Sequence, residues 1–173
     1  MTSDMNDNDG RAAPPAHYER FDSEAAFQDA IDRLLEQAGD ELRIFDPDLS
    51  ALRLNSPARI ERLERFLFAS RVRRLYIAVH DTEHLTKYCP RMMQLLARFA
   101  HAIQVYRTGE EIRMLQDSFL VLDARHYLRR PVARFSRGAL GLHDETEALA
   151  MRSRFMEIWA ASLPGVSATT LGL

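Results

Sequence analysis

The sequence predicts an α/β domain, a mixed β-sheet flanked by helices. Three observations point there. Helical and strand patterns alternate through the first two-thirds of the chain. Strand patterns then cluster, and one last helix follows them. At 173 residues, 46% of them hydrophobic, the chain has the length of one domain and enough apolar side chains for a core.

Residues 1–20 are polar, with "AAPPA" in the middle, and read as a disordered arm. Ser23 suits the N-cap of a helix whose inward stripe is Phe27, Ile31, Leu34 and Ala38, with Gly39 as its stop. "ELRIFDPDL" supplies a strand at 41–46, broken at Asp46-Pro47. Ser56 caps the next helix and Pro57 opens it; Ile60, Leu63 and Leu67 form its apolar face and Glu61–Arg65 a surface pair. "RRLYIAVHD" is a nearly continuous apolar run, as a strand buried on both faces requires. Helix resumes after Asp81 and restarts at Pro90, turning Met92, Leu95, Leu96 and Phe99 inward. "HAIQVYRT", "SFLVLD", "RHYLRR" and "GALGL" read as strands. Residues 144–162 form the last helix, with Ala148, Met151, Phe155, Ile158 and Trp159 on its core side, and 163–173 read as a peripheral tail.

The formal charge of −2 is uneven. The first ten residues hold three Asp and no Lys or Arg, leaving 23 basic against 22 acidic side chains in the rest. That balance excludes a surface that is a polyanion footprint throughout, while a local basic patch stays open. The single cysteine, Cys89, permits no intramolecular disulfide and fits a reducing compartment. The start lacks the basic and apolar regions of a secretory signal, and no stretch reaches the ~18 apolar residues of a membrane span. The expected setting is the cytoplasm.

Three stretches invite a chemical reading. "HDTEH" (80–84) matches the His-x-x-Glu-His pattern of some zinc peptidases, but there both histidines share one helix, whereas His80 closes a strand and His84 opens the helix after it. It reads as a strand end and a helix cap, and neither metal nor cofactor is expected. Cys89, before Pro90, sits where a helix dipole would lower its pKa, yet no base partner accompanies it, and a structural role is expected. "RHYLRRPVARFSR" (125–137) holds five arginines and a histidine with no acid. On a strand, Arg125, Tyr127 and Arg129 share one face and His126, Leu128 and Arg130 the other. Arginine forks grip phosphate and a ring among them stacks on a base, so Arg125, His126, Arg129, Arg130 and Arg134 are candidate anion-binding residues. The plainer alternative is a solvated edge strand guarded by charge.

"DSFLVLD", a charged turn, a second strand, a loop, "GALGLHD" and a helix carrying Phe155-x-x-x-Trp159 together resemble the C-terminal part of a phospholipase-D-like domain. The earlier elements fit the same order, so the resemblance spans roughly residues 21–162. That superfamily carries His-x-Lys-x-x-x-x-Asp. Aligned on Asp123, the histidine position falls on Gln116 and the lysine position on Ser118, while the Gly-Ser-x-Asn segment falls on Arg130 to Ala133. The resemblance therefore implies a remnant motif of Gln116, Ser118 and Asp123 and no catalytic residues. The family's phosphohistidine mechanism needs an imidazole nucleophile and a lysine on the developing charge, which an amide and a hydroxyl do not replace. No base for Ser118 is evident along the chain. The resemblance also implies a homodimer, since these enzymes need two motif copies, and the chain is similar to bacterial single-copy domains that lack the catalytic His and Lys.

Three functions follow as expectations: a non-catalytic phospholipase-D-like domain that binds a phosphate-bearing ligand or nucleic acid, a protein–protein interaction or regulatory module, and a divergent phosphodiesterase rebuilt on His126 and Arg130.

Overall fold

The computed structural model describes residues 12–167. Its eight strands are β1 His17–Phe21, β2 Glu41–Asp46, β3 Arg74–Val79, β4 Ile103–Thr108, β5 Ser118–Leu122, β6 His126–Arg130, β7 Gly138–Leu142 and β8 Ser162–Val166. Its helices are α1 Glu24–Leu35, α2 Pro57–Phe68, α3 Glu83–Tyr88, α4 Pro90–Arg98 and α5 Glu145–Ala160. The strands form one mixed sheet in the order β1-β7-β6-β5-β2-β3-β4-β8. Only β2–β3–β4 are parallel, joined through the helices between them, and every other neighbour pair is antiparallel. The predicted α/β class and mixed sheet are what the structure has.

Local chemistry explains the boundaries. The Ser23 side chain accepts the Ala26 N–H at 3.1 Å and starts α1. Ser56 does the same for Arg59 with Pro57 as the first residue of α2, and Asp144 accepts the Glu147 N–H to start α5. Pro90 divides α3 from α4, with Cys89 between them.

Strand alternation sends side chains to two cores. Leu120, Leu122, Leu128 and Leu140 join Phe27, Ile31 and Leu34 of α1, Leu63 of α2 and the α4 stripe on one face. Phe45, Ala78, Phe119, Val121 and Tyr127 meet Ala148, Met151, Phe155 and Ile158 of α5 on the other. Trp159 stacks on Tyr106 at a centroid distance of 3.8 Å. Cys89 is buried in the first core, and burial raises its thiol pKa, opposite to a dipole-activated cysteine.

Two expectations are corrected at the ends of the chain. The polar arm is not wholly irregular: His17–Phe21 pairs antiparallel with β7, and its alternation of exposed and covered positions is that of an edge strand, too short and polar to register as one. Within the expected tail, Ser162–Val166 pairs antiparallel with β4 across a bulge, and Pro164 and Gly165 keep this second edge short. Residues 1–11 of the arm and 168–173 of the tail lie outside the described residues. Among the described residues no helix is long and apolar enough to cross a membrane.

Candidate functional site

The parallel strands β2, β3 and β4 end side by side, and the antiparallel β5 begins at that same edge. Asp46, the last residue of β2, accepts the Ser118 Oγ–H at 2.6 Å on Oδ2 and the Asp48 and Leu49 N–H groups at 3.1 and 2.7 Å on Oδ1. Burial raises its pKa, against those hydrogen bonds and the Arg130 charge. Arg130 Nη2 lies 3.6 Å from Asp46 Oδ2, and its guanidinium sits 4.0 Å over the Phe27 ring. Beside them His80 uses both ring nitrogens, Nδ1 with Thr108 Oγ1 and Nε2 with the Leu115 carbonyl, each at 2.6 Å. A carbonyl only accepts, so Nε2 is the donor to Leu115. Gln116 Nε2 donates to the Arg113 carbonyl at 3.1 Å.

Pro47, Asp48, His80, Asp81, Arg107, Arg113 and Gln116 line a cleft of about 390 Å³ at this edge. Ser118 does have a carboxylate beside it, which corrects the expectation of no base. Asp46 comes from a strand 72 residues earlier in the chain, out of reach of any local reading. Yet Ser118 and Asp46 are each 1% exposed and neither lines the cleft, so a diester held there does not meet this hydroxyl. Asp123, the third remnant residue, sits at the opposite end of β5. It takes a positive φ of 54°, and its Oδ1 accepts the Asp40 and Glu41 N–H groups at 3.0 and 2.9 Å, anchoring the start of β2. The three remnant positions do not converge. The His84 ring lies 5.7 Å from that of Tyr88 on α3, tilted to it, and no group of three His, Cys, Asp or Glu among the described residues is placed to hold a metal ion.

The five candidate anion-binding residues are also dispersed. Arg125 is exposed at the β5–β6 turn, at one end of the hairpin. His126 is buried; its Nδ1 accepts the His143 N–H at 3.0 Å, and the two rings meet edge to face at 4.6 Å. Burial, with His143 and Arg125, lowers the His126 pKa against the pull of Asp123. Arg130 is buried under α1, and burial works against its charge while Asp46, Glu24 and Asp48 support it. A solvent-facing Arg130 and His126 are thus corrected: β6 is an inner strand, covered by α1 on the side these two share with Leu128. Arg129 and Arg134 are related only through a groove at the far end: Arg129 lines it, and Arg134 lies over Phe135, which lines it too.

There they join residues missed by reading the arm as irregular. On the α5 side of the sheet, Tyr18, Gly141 and Tyr127 form one cross-strand row, and Arg20, Ala139 and Arg129 the next. Tyr18, Arg20, Tyr127, Arg129 and Ala139 of these rows, with Pro131, Val132, Phe135, Arg137, Gly138, Asp144 and Glu147, line a groove of about 720 Å³. The alternation in "HYERF" was the available signal. Arg134 lies 4.9 Å over the Phe135 ring, and Arg20, Arg129, Arg134 and Arg137 make no ion pair with a described carboxylate. Burial and the Asp144 and Glu147 carboxylates push the Tyr127 hydroxyl up to about 12, so it stays neutral.

Solved structures share this fold. TrmBL2, an archaeal chromatin protein whose structure shows a novel mode of DNA binding, superposes with a TM-score of 0.62 at 12% identity over 90% of this chain. Nuc from Salmonella typhimurium, a phospholipase D family member, gives 0.58 at 11% identity over 88%, and NucT from Helicobacter pylori 0.55 at 12% over 87%. The chain spans 56% of the length of TrmBL2 and the whole of Nuc and NucT. At such identities the likeness is one of fold, and the fold is phospholipase-D-like. No curated protein matches the sequence. Residues 23–171 match the family described as Domain of unknown function (DUF7931), and the chain belongs to that family.

Proposed function

We propose that this domain is a non-catalytic phospholipase-D-like module that binds the phosphate backbone of a nucleic acid. One observation carries the reading: Arg20, Arg129 and Arg137 line a groove at one end of the sheet, Arg134 lies over its Phe135 ring, and among the described residues none of the four has a carboxylate partner. Arg59 and Arg154, by contrast, are paired, with Asp32 and Asp117. Unpaired guanidiniums are free to exchange counterions for phosphates. Loss of hydrolysis fits the internal hydrogen bonds of Gln116, Ser118 and His80, none of which leaves a nucleophile facing the cleft. The DNA-binding neighbour of the same fold is consistent with this reading.

The test is fluorescence polarisation of a labelled oligonucleotide at low and physiological salt, with a fluorogenic phosphodiester assayed in parallel. Binding should weaken steeply with salt. The Arg129→Ala/Arg137→Ala variant should bind more weakly, with a log–log salt slope shallower by about 2, roughly one per phosphate contact removed. No salt-sensitive binding, or turnover of the diester, would overturn the proposal.

A second reading, a protein-interaction module or homodimer, draws support from the outer side of α5. Leu149 and Met156, seven residues apart, are both about half exposed there. Light scattering on the chain and on Leu149→Asp/Met156→Asp would decide it.

A further inference from the structure

The groove beside α5 has a shape that the strand register builds. Tyr18 and Arg20 stand on β1, Tyr127 and Arg129 on β6, and between them β7 contributes only Gly141 and Ala139. Tall side chains on the outer two strands and small ones on the middle strand make a trough rather than a flat face. At one end the Tyr127 ring rests over Gly141, where a Cβ would lie 2.2 Å from it, and Ala139 is left as the open floor between Arg20 and Arg129. At about 720 Å³ the trough falls within the roughly 300–1,000 Å³ of small-ligand clefts.

Its chemistry runs lengthwise. Arg20, Arg129 and Arg137 supply cationic donors to the trough. Asp144 and Glu147, at the start of α5, hold its other end, where Asp144 already caps the helix. A phosphate is therefore drawn to the arginines and kept from the carboxylates. Two rings stand open to solvent on the same groove, Tyr18 at 56% exposure and Phe135 at 46%. Arg134 lies over the Phe135 ring, and a guanidinium on a ring is itself a surface on which a planar group stacks.

Resting on the nucleic-acid reading above, we infer that the groove receives a single-stranded segment, with its phosphates at Arg20, Arg129 and Arg137 and its bases stacked on Tyr18 and Phe135. A duplex offers the same phosphates but keeps the faces of its bases inside the helix. Only an unpaired strand uses both halves of this groove.

The experiment compares labelled single-stranded and duplex oligonucleotides of equal length, on the full chain and on Tyr18→Leu and Phe135→Leu, which keep apolar bulk but remove the ring. The chain should prefer the single strand. Each ring variant should lose about ten-fold in single-strand affinity. Duplex binding should stay within about two-fold, with unchanged circular dichroism. Ring variants that bind the single strand like the parent, or a preference for duplex, would overturn the stacking assignment while leaving salt-sensitive phosphate binding intact. A free mononucleotide that competes as well as the strand would overturn the polymer assignment. Absence of salt-sensitive binding to either oligonucleotide would overturn both readings.

Discussion

Asp123 carries a structural load. It takes the left-handed backbone conformation that closes the β5–β6 hairpin, and its carboxylate holds two backbone N–H groups at the entry to β2. Both features favour a short polar side chain with an acceptor. Asp123→Asn should therefore be nearly neutral in urea denaturation, whereas Asp123→Ala should lose about 1–3 kcal/mol by stranding two donors and straining a positive φ. His126 is the other residue with a defined cost. Its Nδ1 must be unprotonated to accept the His143 N–H, and its pKa is lowered in the folded state. Below the ordinary histidine value of about 6.5 the unfolded chain binds the proton and the folded chain does not. Stability should be full above about pH 6.5 and fall as pH drops below it, until the folded histidine itself titrates. His126→Asn, which keeps an acceptor near the Nδ1 position, should flatten that part of a melting-temperature profile against pH; an unchanged profile would remove His126 as its source.

Among the elements, α1 and α2 share a core and are also tied by one buried arginine. Arg59, buried near the start of α2, donates to Asp32 Oδ1 at 3.1 Å, to the Gln28 carbonyl at 2.9 Å and to the Leu52 carbonyl at 2.7 Å. It thus ties α1, the turn at Ser50–Leu52 and α2 into one layer over the sheet. Arg59→Ala should destabilise the domain by roughly 3 kcal/mol in urea with an unchanged m-value, because two carbonyls lose their partner. Arg59→Lys should recover less than half, since an ammonium cannot span all three acceptors. The opposite layer is a single helix. α5 covers the centre of the sheet through Ala148, Met151, Phe155 and Ile158, and the uncovered β1–β7–β6 end beside it becomes the groove.

Over the whole molecule, net charge gives no sign of a polyanion partner: at −2 it would repel one weakly. Attraction has to be local, and it survives only within about a Debye length of the unpaired arginines, roughly 8 Å at physiological salt. This is why salt dependence, rather than affinity alone, is the measurement that separates backbone binding from a protein-interaction surface. Two clefts on the domain differ in their charge. The one at the end of the parallel strands has Arg107 and Arg113 balanced by Asp48 and Asp81, whereas the groove beside α5 collects arginines in excess.

Much of this architecture follows from the sequence alone. Periodicity, caps and proline positions determine α1 to α5 and the six inner strands, because each depends on neighbours a few residues away. The resemblance that rests on Phe155-x-x-x-Trp159 and on the strand–turn–strand before it already implies the fold. The tertiary structure alone decided which face of each strand is covered. Alternation separates Arg129 from Arg130, but only the packing of α1 buries Arg130 over Phe27 while the gap beside α5 leaves Arg129 in a groove. It also decided that Ser118 meets Asp46, and that a short polar edge strand at His17–Phe21 supplies a wall of the groove. Those outcomes depend on partners distant along the chain, and a pattern read over a few residues contains no term for them.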